Sequence, residues 1–385
     1  MFRKKRCATK LKAMNANAVI RLYRGEVIGR RWKVLEKLGE GGCGYVYKVK
    51  NIRTGEQAAA LKAESNFVVG GSVLKLEVQI LKRLAGRMHV AQLLQSGRKE
   101  KYSYMVMTLF GRSLNTLLPR SGQTSVSTQV RVGIQILHGI KQLHEVGYVH
   151  RDVKPANLLV GRRGREARFV HLLDFGLARE YVIRSGGTVK IRVPRTNTLF
   201  RGTTRYCSVN AHMRGEQGRP DDLWSMAYVL AEMRDTLPWH KLTSKDEIGD
   251  KKKRTPDSML FNNSPKQLLD ITTHLRSLNY YTRPDYFRIY KDLDSVMEGS
   301  GFSFSDPFDW ELRRRRAMRR KRKSKIFQAL KTVSTQSLTE STDMDEMRNK
   351  MPSSSDESSL SNGNESIEKT FILKPEDFKR NEIGL

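Results

Sequence analysis

Gly39, Gly41, Gly42 and Gly44 fall within six residues, between two segments that alternate as β-strands do. Before them, Trp32-Lys33-Val34-Leu35-Glu36-Lys37-Leu38 partly alternates apolar and polar side chains. After them, Tyr45-Val46-Tyr47-Lys48-Val49 reads as a second strand. Glycines at this spacing let the backbone approach a phosphate closely and adopt angles that other residues resist. A dinucleotide fold needs a helix directly after such glycines. A strand comes next here, so G-x-G-x-x-G-x-V reads as a hairpin that covers a nucleotide. By itself the pattern is a weak signal, and its weight comes from the residues downstream of it.

Ala58-Ala59-Ala60-Leu61-Lys62 reads as a third short strand with one lysine. Glu77 then lies in Val73-Leu74-Lys75-Leu76-Glu77-Val78-Gln79-Ile80-Leu81, where Val73, Leu76, Ile80 and Leu84 share one helical face and Leu74, Val78 and Leu81 another. A helix this apolar is mostly buried, and a buried carboxylate needs a partner. Lys62 is the evident one. Alone, Glu77 would be read as an ordinary helix-surface charge.

His150-Arg151-Asp152-Val153-Lys154-Pro155-Ala156-Asn157 fits H-R-D-x-K-P-x-N, and Asp174-Phe175-Gly176 comes after it. Glycine loop, strand lysine, helix glutamate, H-R-D loop and D-F-G, in this order and spacing, resemble the protein kinases. The resemblance implies an α+β, two-lobed fold: a small, mainly β lobe with one helix and a large, mainly α lobe. It implies ATP and Mg²⁺, with Asp152 as catalytic base, Lys154 steadying the transferred phosphoryl group, and Asn157 and Asp174 holding the metal. Gly39, Gly41 and Gly44 would cover the phosphates, and Lys62, held by Glu77, would bind them. Val46, Ala60 and Leu159 would enclose the adenine. Met107 would be the gatekeeper, with the Thr108 and Phe110 backbones bonding the adenine edge. Phe175 and His150 read as packing residues, and Asp222 as an anchor beneath the catalytic loop. Lys154-Pro155 resembles serine/threonine kinases rather than tyrosine kinases.

The activation segment closes with Ser208-Val209-Asn210 where most protein kinases have Ala-Pro-Glu. That resembles the casein kinase 1 superfamily, as do Leu237-Pro238-Trp239 and Arg283-Pro284-Asp285-Tyr286. Phe200-Arg201-Gly202-Thr203, Gly218-Arg219-Pro220-Asp221-Asp222-Leu223-Trp224-Ser225 and Asp306-Pro307-Phe308-Asp309-Trp310-Glu311 are similar to its tau-tubulin kinase-like branch. Cys43 at the tip of the glycine loop and Pro220 ahead of Asp221 depart from the usual pattern. Neither touches a catalytic position.

Net charge is +31, with 71 Lys plus Arg against 40 Asp plus Glu. Such an excess points to polyanionic partners without choosing among them. Tyr181 to Arg205 holds six cations and no acid: Arg184, Lys190, Arg192, Arg195, Arg201 and Arg205. With the resemblance, this predicts acidic or prephosphorylated protein substrates, and likens Arg205 and Lys241 or Lys245 to the family's anion-binding positions. A solvated basic loop is the plain alternative.

The expected organisation is a basic flexible arm over 1–27, then a kinase domain over 28–311, divided into small lobe 28–108 and large lobe 109–311. A basic block over 312–331 and an acidic, Ser-rich disordered tail over 332–385 complete the chain. The block holds 11 basic residues and no acid, and lacks the interleaved aromatics that stack on bases. It predicts electrostatic docking to polyanions. Asp356-Glu357-Ser358-Ser359 offers an autophosphorylation site at Ser359. No apolar run approaches a membrane span, and three cysteines fit a reducing compartment. Cytoplasm and/or nucleus, and a monomer, are expected. The rival reading is a kinase-fold scaffold or polyanion-docking protein with little catalysis.

Overall fold

The computed structural model describes residues 20–41, 44–55, 58–67, 71–119, 123–336 and 373–385. They fall into two compact units: the chain up to Phe302 together with Pro375–Leu385, and Ser303–Lys374.

The first lobe of the larger unit is a six-stranded antiparallel sheet. Its strands are β1 (Val27–Ile28), β2 (Trp32–Gly41), β3 (Gly44–Asn51), β4 (Ala58–Ser65), β5 (Leu93–Arg98) and β6 (Tyr102–Thr108), ordered β1-β2-β3-β4-β6-β5. Trp32, Val34, Tyr47, Val49, Ala59, Leu61, Ala63, Tyr104 and Val106 form its core. On β4, Ala59, Leu61 and Ala63 face that core, so strand alternation turns Ala60 and Lys62 to the opposite side.

Helix α1 (Val73–Arg83) crosses behind the sheet. Ser72 caps it by accepting from Lys75 N at 3.1 Å. The Glu64 carboxylate accepts from Val73 N (3.1 Å) and Leu74 N (3.2 Å), so a charge on β4 also holds the positive end of the helix. Leu74, Ile80 and Leu81 are buried, and Glu77 is buried among them.

The second lobe is built on α2 (Val126–Glu145), a 20-residue helix buried over most of its length between α3 (Arg219–Arg234) and α4 (Tyr286–Ser300). Ser125 caps it, accepting from Thr128 N at 3.2 Å. Short antiparallel pairs fix the loops on its surface. β7 (Tyr148–Val149) pairs with β10 (Arg179–Glu180), β8 (Leu158–Val160) with β9 (Val170–Leu172), and β11 (Val182–Ser185) with β12 (Thr188–Ile191). The catalytic-loop sequence runs between β7 and β8, and Asp174-Phe175-Gly176 comes just after β9. This is the two-lobed α+β kinase architecture.

The boundaries differ from the sequence-based ones in three places. Residues 20–27 are not arm: Leu22 is buried in the sheet core, its N–H donates to Tyr47 Oη (3.1 Å), and Tyr47 donates to Ile20 O (3.2 Å). An apolar residue is worth ordering when it closes an open end of a core. The boundary at 311/312 is not a break, because helix α5 (Asp309–Gln336) runs through it and carries the basic block, exposed over residues 313–328. Pro375–Leu385, expected to be disordered, belongs to the larger unit and includes helix α6 (Pro375–Lys379). Residues 1–19, Cys43 and the Ser359 region lie outside the described residues. No described helix is long and apolar enough to cross a membrane.

Candidate active site

Gly41 and Gly44 pair where β2 meets β3. Gly44 has φ +120°, and a Cβ there would lie 2.1 Å from Ala63 O, so the position excludes any side chain. At Gly39 nothing lies within 4 Å of a Cβ, so that glycine leaves open space. In the sheet register Val46 stands opposite Lys62, and Ala60 opposite Met107. Lys62 Nζ pairs with Glu77 Oε1 and lies 3.7 Å from Asp174 Oδ1. Burial pushes the Glu77 carboxyl above the ordinary carboxylate range, and the Lys62 ammonium offsets only part of that rise.

Thr108, next to Met107, already gives its N–H to Gln92 O (3.0 Å), so an adenine contact there uses its carbonyl. Leu159 on β8 and Phe110, whose ring lies 4.6 Å from His171, are half-buried.

Below this, the catalytic loop is tied into one cluster. Lys154 Nζ lies 2.7 Å from Asp152 Oδ2, and Asn157 Nδ2 donates to Asp152 O at 2.9 Å. Thr203 donates to Asp152 Oδ1 at 2.7 Å and accepts from Lys154 Nζ at 3.0 Å. Thr203 was not among the sequence candidates: nothing in Thr203-Thr204 singles out one hydroxyl until the chain has folded back.

Asp222 holds the loop from beneath, accepting from His150 N (2.6 Å), Arg151 N (2.8 Å) and His144 Nε2 (2.9 Å). Burial pushes its carboxyl up, but these donors more than offset it and leave it below the ordinary range. Tyr286 donates to His144 Nδ1 (2.7 Å), which fixes the neutral imidazole as the Nε2–H form. Two residues here, Arg151 (φ 66°) and Asp174 (φ 65°), occupy the left-handed region that non-glycine residues avoid. His150 and Phe175 pack edge to face, with ring centroids 5.5 Å apart.

Asn157 turns its Nδ2 towards Asp152, which leaves Oδ1 as its oxygen donor, and the Asp174 side chain is half exposed. These are hard oxygen donors suited to Mg²⁺. Among the described residues no group of three or more His, Cys, Asp or Glu could hold a metal alone. That fits an ion bound by few protein ligands and completed by phosphate oxygens and water.

Three of the six cations of the activation segment have acids after all, supplied from outside the run. Arg205 pairs with Glu232, Arg192 lies 3.6 Å from Glu180, and Arg195 lies 2.6 Å from Glu216. Arg179 also reaches Glu216, at 3.1 Å, and the Glu216 side chain is 2% exposed. Arg205 is therefore engaged within the fold and is not a free anion site. Lys245 Nζ sits 3.8 Å over the Phe200 ring, and Lys241 and Arg201 are exposed.

The protein kinase domain family matches residues 32–292, more than half of the chain. The chain belongs to the protein kinase family. A Caenorhabditis elegans protein named as a serine/threonine-protein kinase is 50% identical over 289 residues, covering 74% of this chain and 84% of the relative. A Dictyostelium discoideum protein named likewise is 40% identical over 293 residues, or 75% of this chain and 58% of that protein. An inactive tau-tubulin kinase of C. elegans is 36% identical over 249 residues, 61% of this chain and 86% of the relative. This kinase is accordingly a serine/threonine protein kinase, for which ATP is the implied phosphoryl donor.

Proposed function

We propose that this kinase transfers the γ-phosphoryl group of ATP to serine or threonine of acidic or prephosphorylated proteins. The observation that carries the catalytic part is the joined cluster of Asp152, Lys154 and Thr203, with the Lys62–Glu77 pair above it. Phosphoryl transfer asks a protein mainly for positioning and charge stabilisation. Lys62 holds phosphate oxygens. The Asp152 carboxylate orients the substrate hydroxyl and takes its proton, and Lys154 offsets charge on the transferred group. Mg²⁺, when bound through Asn157 and Asp174, neutralises phosphate charge. The Thr108 carbonyl and Phe110 N–H bond the adenine edge, and Val46, Ala60, Met107 and Leu159 enclose it.

The substrate preference rests on Arg201, Lys241 and Lys245, three cations in or near the segment that form no ion pair with an acid among the described residues. Placement in the casein kinase 1 superfamily, in its tau-tubulin kinase-like branch, is supported by the way Ser208-Val209-Asn210 works. Ser208 Oγ accepts from Ala211 N (3.1 Å), and Asn210 Nδ2 donates to Glu216 O (3.0 Å). The relative named as a tau-tubulin kinase agrees with this placement.

The exposed cations of α5 supply the proposed polyanion-docking function, in a monomeric enzyme of the cytoplasm and/or nucleus. Deleting 312–331 should weaken polyanion binding and flatten its salt dependence.

The deciding experiment is phosphate transfer from ATP to casein and to acidic or neutral peptides, with Lys62→Arg and Asp174→Asn as controls. Activity above both controls, higher on acidic peptides, is expected. Activity equal to the controls would favour a scaffold. Equal rates on both peptide classes would remove the substrate preference alone.

A further inference from the structure

Residues 375–385 lie along the back of the large lobe in a groove that the catalytic mechanism does not use. Phe378 is fully buried, stacked on Tyr290 of α4 at 4.4 Å and edge-on to His138 of α2 at 5.6 Å. Lys379 Nζ lies 4.6 Å over the Phe287 ring. Arg283 donates to Arg380 O at 2.8 Å. The Glu382 carboxylate pairs with Arg87, in the loop after α1, and Glu382 N donates to Glu145 Oε2 at 2.6 Å. Ile383 packs with Val149, Tyr181 and Val182, and Leu385 O accepts from Arg219 at 3.4 Å.

The walls of the groove are also tied to one another. Glu145 already holds Lys141 (3.3 Å) and Arg283 (3.1 Å), and Arg87 donates to Gln142 at 2.7 Å. Gly147 (φ +91°) brings the hairpin near: a Cβ there would lie 2.6 Å from Val182 Cγ2 and 3.6 Å from Ile383 Cδ1. The occupant therefore touches α2, α4, the loop behind α1, and β11 of the hairpin just after the Asp174-Phe175-Gly176 turn.

We propose that this groove is a peptide-docking site, filled in cis by residues 375–385. It reads an aromatic side chain succeeded, four and five residues later, by an acid and an aliphatic residue. Occupancy braces the β11–β12 hairpin through Ile383 and Val182. The docked residues contain no Ser, Thr or Tyr, so phosphorylation cannot alter them directly. The proposal does not depend on catalysis, and binding and exchange test it without an activity assay.

The test uses the full chain. A Phe378→Asp/Ile383→Asp double variant should empty the groove, because both buried positions would become charged. A fluorescent synthetic peptide of residues 373–385 should then bind this variant saturably. It should bind the wild-type chain at least about tenfold more weakly, because the tethered segment competes at high effective concentration. A peptide with the Phe and Ile positions changed to Asp should not bind. Hydrogen exchange should show residues 182–191 less protected in the variant, and restored on adding the wild-type peptide. Should the double variant not fold, Glu382→Arg and Arg87→Glu separately should raise exchange in 378–383, and the two together should restore protection. Equal peptide binding to both chains, no binding to a folded variant, or no rescue by the charge exchange would overturn the proposal.

Discussion

Thr203 donates a hydrogen bond to Asp152 Oδ1 at 2.7 Å, joining the activation segment to the proposed base across 51 residues of sequence. The same hydroxyl accepts from Lys154 Nζ at 3.0 Å, so it ties both groups, themselves in contact at 2.7 Å, to the activation segment. Thr203→Val keeps the shape and removes the hydroxyl. The expected result is a fall in kcat of about 10- to 100-fold, since misplacing reacting groups by an ångström costs on that order. KM for ATP should change little, and Thr203→Ser should keep most of the rate. Steady-state kinetics decide it; a valine variant within twofold of wild type would show that the bond does not position Asp152.

Asp222 bonds two successive backbone N–H groups, of His150 and Arg151, and the His144 ring. Arg151 sits at φ 66° only because something holds it there. In Asp222→Asn an amide NH₂ must face one of three donors, in a site where the side chain is 1% exposed. Breaking such a buried charged network costs about 3–5 kcal/mol. Urea unfolding should register that loss, and kcat should fall with it. An unchanged unfolding midpoint would refute the role.

The catalytic elements were legible in the sequence because each is a short local pattern: glycines between two strands, a lysine on a strand, H-R-D-x-K-P-x-N, D-F-G. The register that sets Ala60 opposite Met107 comes from those strands pairing in a sheet. Charge pairing at a distance could not be read. Tyr181–Arg205 contains no acid, yet Glu180, Glu216 and Glu232 neutralise three of its cations after folding. Composition also misled at 375–385. That segment lies beyond a Ser-rich stretch and has only three large apolar side chains, but Phe378 and Ile383 are both buried. Disorder tracks average hydrophobicity, whereas docking needs only one aromatic and one aliphatic anchor with prepared pockets.

Buried neutral histidines should make the fold acid-sensitive. Burial lowers His138 to about 3 and His171 to about 4, both well below the ordinary 6.5. The unfolded chain therefore takes up these protons first. The stability is fully present above pH 6.5 and is lost as pH falls towards the folded values. Each histidine contributes about 1.4 kcal/mol of loss per pH unit below roughly 6. Urea unfolding at pH 7.5, 6.5 and 5.5 should show stability falling at the acid end. His138→Gln should flatten the profile. A profile of equal slope in that variant would show that His138 protonates as readily in the folded protein as in the unfolded chain.

Glu216 answers for two arginines, Arg179 at 3.1 Å and Arg195 at 2.6 Å, and it also lies in the field of Arg151 of the catalytic loop. Three guanidinium groups gathered around one buried carboxylate would repel one another without it. The carboxylate does here what an added phosphate could do, namely fasten the segment to the loop that carries Asp152. Wild-type protein carrying no phosphate on residues 181–205 by mass spectrometry should therefore already be active. Glu216→Ala should lose about tenfold or more in kcat, because the segment that carries Thr203 is no longer anchored. Millimolar sulfate should return part of that loss in the alanine variant, by bonding the vacated arginines, and should not raise the wild-type rate. Glu216→Asp, a carboxylate one methylene short, should fall between the two. An alanine variant of wild-type activity, or one that sulfate leaves unchanged, would separate the arginine cluster from the positioning of Thr203 and Asp152.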